Sequence, residues 1–199
     1  MGCGDHKADN AINHVLAQKG PGYLRVVNLT SDSVEFWYKN RPVAPPIKSM
    51  DLSELCPIGT GNQNIRLEQG DKKQEVKLNL ATGIGQTVIL MPDHTTKLIE
   101  NEQRYATADS NVRIVPVDAG GKLPDTIALS GADTKSLPVK DSLITLKQGM
   151  INCPDGTTIE IKERIAFSLF IVATPKKVFY ILGKNASDRK PVTAGQSAA

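Results

Sequence analysis

The sequence is poor in the residues that most often carry metal or thiol chemistry, with three histidines and three cysteines among 199 residues. His6 and His14 stand near the start, and His94 follows a Pro-Asp pair that is typical of a turn. None of the three has a cysteine or carboxylate at the spacing of a shared metal site. We therefore predict no metal site.

Catalytic and nucleotide-binding motifs are also lacking. No Gly-x-Ser-x-Gly elbow occurs, and the Gly83 and Gly85 pair lacks the third glycine and the following helix of a dinucleotide site. The many carboxylates show no spacing that predicts a facing pair. We expect a protein that is not an enzyme and has no cofactor. An esterase or hydrolase is the alternative, but the sequence offers no nucleophile for it.

Long apolar runs and long runs of like charge are missing as well. No stretch reaches the roughly 18 apolar residues that a membrane-spanning helix needs. The 24 basic and 21 acidic residues are spread along the chain and give a net charge of +3. This balance favours a solvated surface of mixed charge and excludes nucleic acid as a natural partner.

Short strand patterns fill most of the chain. Phe36 and Tyr38 alternate with Glu35 and Trp37, as in a half-buried strand. Residues 65–68 and 76–80 form a second alternating pair around a Gly-containing turn, which predicts a hairpin. Residues 87–91 are apolar on both faces, as in a central strand. Residues 165–173 and 178–182 are predicted to be the most apolar core strands of the second copy. Gly, Pro, Asn and Asp separate these segments, so we predict an all-β fold of antiparallel sandwiches.

An internal repeat is indicated by three landmarks in the same order. A Cys-Pro-x-Gly pattern occurs at residues 56–59 and 153–156, strand-like segments match at 24–29 and 112–117, and residues 80–90 match 172–182. Such order suggests duplication with loops of changed length. We predict two tandem antiparallel β-sandwich domains of Ig-like or Greek-key type, and the predicted segments are a tether at 1–22, domains at 23–104 and 105–183, and a polar tail at 184–199.

Each predicted copy contains one cysteine, Cys56 or Cys153, so a disulfide within a copy is excluded. A bridge between the copies requires their Cα atoms to lie within about 7 Å. Two separate buried thiols are the simpler expectation, and the bridge stays open.

The third cysteine, Cys3, follows Gly2 at the front of a polar segment. This pair is typical of what remains of a bacterial lipoprotein signal, with Cys3 as the lipid-bearing residue. Myristoylation of Gly2 is less favoured, because His6 stands where that motif has Ser or Thr. A cysteine with no role in an unstructured start is the third interpretation. The first predicts a location in the periplasm or cell envelope, with an optional lipid anchor.

Trp37 is the single tryptophan, and in its strand it points away from the side of Phe36 and Tyr38. An exposed tryptophan on a strand can stack on a sugar ring or contact a protein partner. The alternative is that Trp37 packs against the nearby prolines or the other copy, since tryptophans are mostly well buried. The sequence favours the packed interpretation and leaves a glycan-binding surface as the second function.

The opening strand with Arg25 and Asn28, the strand with Trp37 and the Pro-x-Gly at 57–59 together resemble small β-sandwich modules of bacterial envelope and surface proteins. Two such modules in tandem also resemble the periplasmic family of alginate O-acetylation protein F. Cys56 stands where the module pattern has leucine before proline, and Pro116 replaces the asparagine in the second copy. The resemblance implies a non-catalytic adaptor or scaffold in exopolysaccharide O-acetylation, with an O-acyltransferase or its associated proteins as partners. It supplies no catalytic residue.

Overall fold

The computed structural model describes residues 21–102, 110–129, 135–146, 149–152, 158–161 and 166–185, and within them the chain is all-β with no helix. The strands are β1 Gly22–Asn28, β2 Glu35–Tyr38, β3 Arg41–Pro42, β4 Asp51–Leu52, β5 Cys56–Ile58, β6 Gly61–Gln69, β7 Lys72–Leu80, β8 Gly85–Leu90, β9 Thr96–Glu102, β10 Ser110–Asp118, β11 Thr126–Leu129, β12 Lys135–Pro138, β13 Ser142–Leu146, β14 Gly149–Asn152, β15 Thr158–Ile161, β16 Ala166–Ala173 and β17 Val178–Lys184. We call β1 to β9 the first half and β10 to β17 the second half.

Two sheets of the first half share one hydrophobic core. Sheet 1 has the strand order β4-β1-β8-β9, with β5 also paired to β1, and sheet 2 has the order β3-β2-β6-β7. Leu24 and Val88 of sheet 1 meet Phe36 and Ile65 of sheet 2 in this core. Glu35 on the opposite side of β2 is exposed. The alternation in β2 therefore predicted the buried face correctly.

The second half contains sheet 3, with the order β13-β10-β16-β17, and the hairpins β11–β12 and β14–β15. One face of sheet 3 forms a core with Ile127 of β11, to which Val112, Ile114 and Leu169 contribute. Two short strands of the second half, β11 and β13, span Thr126–Leu129 and Ser142–Leu146.

A third core joins the two halves. Val27 and Ile89, on the face of sheet 1 that points away from sheet 2, pack with Val115, Phe170 and Val172 of sheet 3. The central strands are therefore covered on both sides, and every residue of β8 and β16 is buried. This confirms the central strand predicted near residues 87–91 and the core strand predicted near residues 165–173, because a strand in a middle layer has no solvent-facing side.

The prediction of purely antiparallel sheets was wrong. β1 pairs with β8 in parallel, from Tyr23 opposite Gly85 to Asn28 opposite Leu90, and β10 pairs with β16 in parallel. A buried apolar strand has the same composition in either direction, so the pattern could not reveal this. Parallel neighbours need a long crossover connection, and in the first half all four strands of sheet 2 lie within that connection.

Two of the three repeat landmarks do not occupy matching places. In the first half, Cys56 at the start of β5 pairs with Leu24 of β1. The residue of the second half that corresponds to Leu24 is Val112 of β10, and its partner is Ile144 of β13. The second Cys-Pro-x-Gly pattern, residues 153–156, lies outside the described residues. Residues 87–90 lie in β8, while residues 179–182 lie in β17, the counterpart of β9. Short Pro-Gly patterns arise wherever a chain turns, so strand pairing is the stronger criterion.

The Pro-x-Gly pattern at 57–59 does not form a turn, although such patterns are typical of turns. Cys56–Ile58 forms the buried strand β5, in which Pro57 faces Tyr23. Proline is tolerated there because β5 pairs with β1 on one side only, at the edge of sheet 1. Gly59 and Thr60 then connect β5 of sheet 1 to β6 of sheet 2, which begins at Gly61.

Asn28, at the end of β1, organises the loop that leads to sheet 2. Its side-chain amide is fully buried and donates to the backbone oxygens of Asp32 at 2.8 Å and Ile47 at 3.0 Å. Its Oδ1 accepts from the backbone N–H of Thr30 at 3.0 Å and from the Thr30 hydroxyl at 2.7 Å. The asparagine of the module-like opening strand therefore satisfies buried backbone groups, which is a structural role.

The predicted tether and tail lie almost wholly outside the described residues. β1 begins at Gly22 and β17 ends at Lys184.

Candidate functional site

Trp37 lies on the outer face of sheet 2, the face that points away from the core. It is half-buried, between buried Phe36 and Tyr38 on the other side of the strand. Its cross-strand neighbours are Pro42 on β3 and Arg66 on β6. Trp37 therefore stands between a proline-bearing strand and an arginine-bearing strand, and neither of the two sequence interpretations describes this position completely.

Two polar contacts fix the orientation of the Trp37 ring. The indole Nε1–H donates to Glu35 Oε2 at 2.9 Å. The Arg66 guanidinium carbon lies 5.2 Å from the centre of the ring, within the range of a cation–π contact. The ring therefore combines an apolar surface with a defined position.

A cleft of about 310 Å³ opens beside this ring. Aromatic, amide and charged side chains line it together. The lining residues are Trp37, Tyr38, Lys39, Asn40, Gln63, Asn64, Ile65, Arg66 and Glu75. Its size is at the lower end of the range for small-molecule sites, which is about 300–1,000 Å³.

The positive charge of Arg66 is largely compensated within the sheet. Arg66 Nε lies 2.7 Å from Glu68 Oε1, and Lys73 Nζ lies 3.5 Å from the same oxygen. Glu75 stands opposite Arg66 on β7. Partly exposed pairs of this kind contribute only about 0–1 kcal/mol to stability, so their main effect here is to balance the charge around the cleft.

The floor of the cleft is tied to the segment that follows β5. The Tyr38 hydroxyl donates to Gln63 Oε1 at 2.7 Å, and Gln63 in turn donates to the backbone oxygen of Thr60. A Cβ on Gly59 would lie only 2.8 Å from the Tyr38 hydroxyl oxygen. The glycine of the first Cys-Pro-x-Gly pattern therefore leaves room for the tyrosine that closes the cleft.

A second polar site, which sequence reasoning did not single out, lies at the joint between the halves. Arg25 of β1 is fully buried, and its Nη2 donates to the backbone oxygen of Lys184 and to Asn185 Oδ1 at 3.0 Å. Ser168 and Asn185 are also buried and bond to each other. A Cβ on Gly183 would overlap the guanidinium. The sequence did contain a signal for this site, because Arg25 stands within a strand that is otherwise mostly apolar.

Arg113 of β10 makes the corresponding contact in the opposite direction. Its Nη1 donates to the backbone oxygen of Glu100 on β9 at 2.6 Å. Its Nε and Nη2 form a bidentate pair with Asp141 at 2.9 and 2.7 Å, which holds the pKa of that carboxyl below its usual value. The two arginines also occupy equivalent positions in their sheets. In sheet 1, Arg25 pairs with Thr87, which pairs with Ile99. In sheet 3, Arg113 pairs with Ser168, which pairs with Gly183.

Of the cysteines, only Cys56 lies in the described part of the chain. It is 1% exposed, and its Sγ lies 3.3 Å from the backbone oxygen of Glu54. The predicted burial of this thiol is confirmed. Cys153 and the proposed lipid-bearing Cys3 lie outside the described residues.

His94 lies in the turn between β8 and β9, with a φ of 64°. Its Nε2 is 3.0 Å from Lys72 Nζ. The neighbouring Asp93 accepts hydrogen bonds from the side chain and backbone of Thr95, which lower the pKa of its carboxyl. No group of three or more potential metal ligands occurs in the described part of the chain. His6 and His14 lie outside it.

Among the described residues, no helix is long and apolar enough to cross a membrane. Comparison of the sequence with models of known protein families found no match, and comparison with curated proteins found none either.

Proposed function

We propose that the chain consists of two tandem β-sandwich domains that arose by duplication. The support is topological: sheets 1 and 3 share an order in which the opening strand lies between an antiparallel neighbour and a parallel one. The arginines at positions 25 and 113 add a reciprocal pair of contacts across the joint.

We further propose that the protein is a non-catalytic adaptor in the cell envelope that serves exopolysaccharide O-acetylation of the alginate type. Acyl transfer is then carried out by its partners, and Cys3 provides an optional lipid anchor. The observation that carries the adaptor role is the core between sheets 1 and 3, which joins the halves through buried residues such as Val27 and Phe170. Because this core holds the two halves together, sheet 2 of the first half and the hairpins of the second half can each contact a different protein at the same time. The link to acetylation rests on the resemblance of the opening strands.

An affinity purification from the native envelope tests the adaptor role. The bait is the full-length exported protein, and the expected result is co-purification of a membrane O-acyltransferase or its acetyl-carrying partners. Recovery of bulk envelope proteins alone would remove the support for the adaptor.

Two variants test whether the joined halves matter for partner recovery. Val27→Asp introduces a charge into the core between the halves, where Val27 is fully buried. Leu98→Asp makes the same kind of change at a side chain that is 38% exposed. We expect partner recovery to fall with the first variant and to persist with the second, at equal amounts of folded bait. Equal recovery with both would show that the joint is irrelevant to partner binding.

A second candidate function is direct binding of a glycan at the cleft beside Trp37. The cleft favours it because an oriented aromatic ring and several amide groups converge there. Since Trp37 is the only tryptophan, a saturable change of its fluorescence on addition of an oligosaccharide would report binding at this place. Trp37→Ala, followed by calorimetry, is expected to abolish the binding.

A further inference from the structure

The cleft beside Trp37 has walls that are already fixed without a ligand. Glu35 and Arg66 orient the indole ring, and the Tyr38 hydroxyl is bonded to Gln63. Arg66 also reaches Asn40 Oδ1 at 3.4 Å. Binding to such preformed walls immobilises few side chains, which reduces the entropic cost of association.

Two polar groups of the cleft remain available for a ligand. The Asn64 amide and the Glu75 carboxylate form no hydrogen bond or ion pair with any of the described residues, and both side chains are exposed. An amide donates and accepts, whereas a carboxylate only accepts. A ligand must therefore supply hydrogen-bond donors to Glu75, and it can offer either a donor or an acceptor to the Asn64 amide.

The charges of the lining select against charged ligands. Glu68 already neutralises Arg66 at 2.7 Å, which leaves Lys39 and Glu75 as one charge of each sign in the lining. An anion would be repelled by Glu75 and a cation by Lys39. A neutral molecule with several hydroxyl groups avoids both costs, because each hydroxyl can donate to Glu75 and accept from Asn64. The apolar face of a sugar ring also matches the apolar surface of Trp37.

We infer that this cleft binds a neutral pyranose sugar, with Trp37 as the apolar wall, Glu75 as the hydroxyl acceptor and Asn64 as donor and acceptor. This rests on the proposed glycan-binding function and narrows its ligand class, since the cleft then disfavours a uronate. The cleft would then not recognise the backbone of an acidic polysaccharide.

The test titrates the full chain with two panels of pentasaccharides and records Trp37 fluorescence and binding heat. One panel contains neutral oligosaccharides of glucose, mannose or galactose, and the other contains oligouronates of the same length. We expect saturable binding of at least one neutral sugar and none of the uronates. Glu75→Gln should weaken that binding about tenfold, as expected for loss of one hydrogen bond to a charged group. Asp125→Asn, a change at an exposed carboxylate in the second half, should leave it unchanged.

The outcomes distinguish this inference from the broader function. Binding of uronates but of no neutral sugar, lost in Trp37→Ala, would overturn the neutral specificity and leave glycan binding intact. Absence of binding by every oligosaccharide at millimolar concentration would reject both. Binding of a neutral sugar that survives in Trp37→Ala would show that the site lies elsewhere and overturn the assignment of this cleft.

Discussion

Arg25 and Arg113 make equivalent contacts from opposite sides of the joint between the halves. Arg25 donates to the backbone oxygen of Lys184 in the second half, and Arg113 donates to that of Glu100 in the first. The two differ in burial, because Arg25 is fully buried while the Arg113 side chain is 21% exposed. The same contact therefore lies in two environments, and its contribution to the free energy of unfolding should be larger for buried Arg25 than for Arg113.

Replacement of either arginine by methionine tests this difference. We expect Arg25→Met to lower the free energy of unfolding by about 2–3 kcal/mol, since it removes hydrogen bonds from a charged donor to buried acceptors. Arg113→Met should cost about 0.5–1 kcal/mol, because its ion pair with Asp141 is partly exposed. Urea denaturation of both variants measures the two values. Equal losses would contradict the argument from burial.

Gly183 is expected to be coupled to Arg25. A Cβ at position 183 would overlap the Arg25 guanidinium, so Gly183→Ala should displace that side chain and destabilise the protein. In an Arg25→Ala background the obstructing group is gone, and the same substitution should cost at least 1 kcal/mol less. A double-mutant cycle by urea denaturation gives this coupling. Additive effects would mean that Arg25 can move aside freely.

Phe170 offers a test of whether the halves unfold together. It is fully buried in the core between sheets 1 and 3. Phe170→Ala should cost about 3–5 kcal/mol. Trp37 reports only on sheet 2 of the first half, yet we expect its fluorescence transition to move to lower urea, because the shared core links both halves. The control is Leu143→Ala, at a side chain that is 51% exposed, which should leave the transition in place.

An unchanged Trp37 transition in Phe170→Ala, with loss of circular dichroism at lower urea, would show that the halves unfold independently.

The ion pair of Asp141 with Arg113 predicts a dependence of stability on pH. Hydrogen bonds from Arg113 lower the pKa of Asp141 below its ordinary value of 3.8, although partial burial acts in the opposite direction. The folded state then binds fewer protons than the unfolded state, so the contribution is present above pH 3.8 and is lost as the pH falls through the folded pKa. Asp141→Asn should therefore destabilise slightly at neutral pH and have no effect at strongly acid pH.

Urea denaturation of the wild type and Asp141→Asn at several pH values checks this dependence. The exposed Asp125→Asn serves as the control for loss of one carboxylate. A difference between wild type and Asp141→Asn that stays constant down to acid pH would exclude the ion pair as its cause.

Local patterns predicted much of the strand structure. The alternation around Phe36 identified the buried face of β2, and the apolar run at residues 87–91 identified a central strand. Both signals depend only on which side of a strand meets solvent, and that property is written directly into the order of residues. The surroundings of Trp37 were less predictable, because Arg66 arrives from a strand that is distant in sequence.

Other features depend on pairings that no local pattern contains. The direction of β8 relative to β1 follows from how the intervening chain crosses over, and the burial of Arg25 follows from the position of Lys184. The Pro-x-Gly pattern at 57–59 was misleading for the same reason, since Cys56–Ile58 forms a strand whose partner, β1, lies far away in sequence.

The parallel pairing of β1 with β8 has a consequence for how the chain acquires its structure. β1 ends at Asn28, and its parallel partner begins only at Gly85, so sheet 1 cannot close until that later segment has been synthesised. Its outer face, with Val27 and Ile89, then stays uncovered until β16 arrives at Ala166. Contacts between residues so far apart in sequence slow folding, and folding intermediates with this exposed hydrophobic surface are prone to aggregation. Nascent chains should therefore depend on chaperones that shield this face until the last strands are in place.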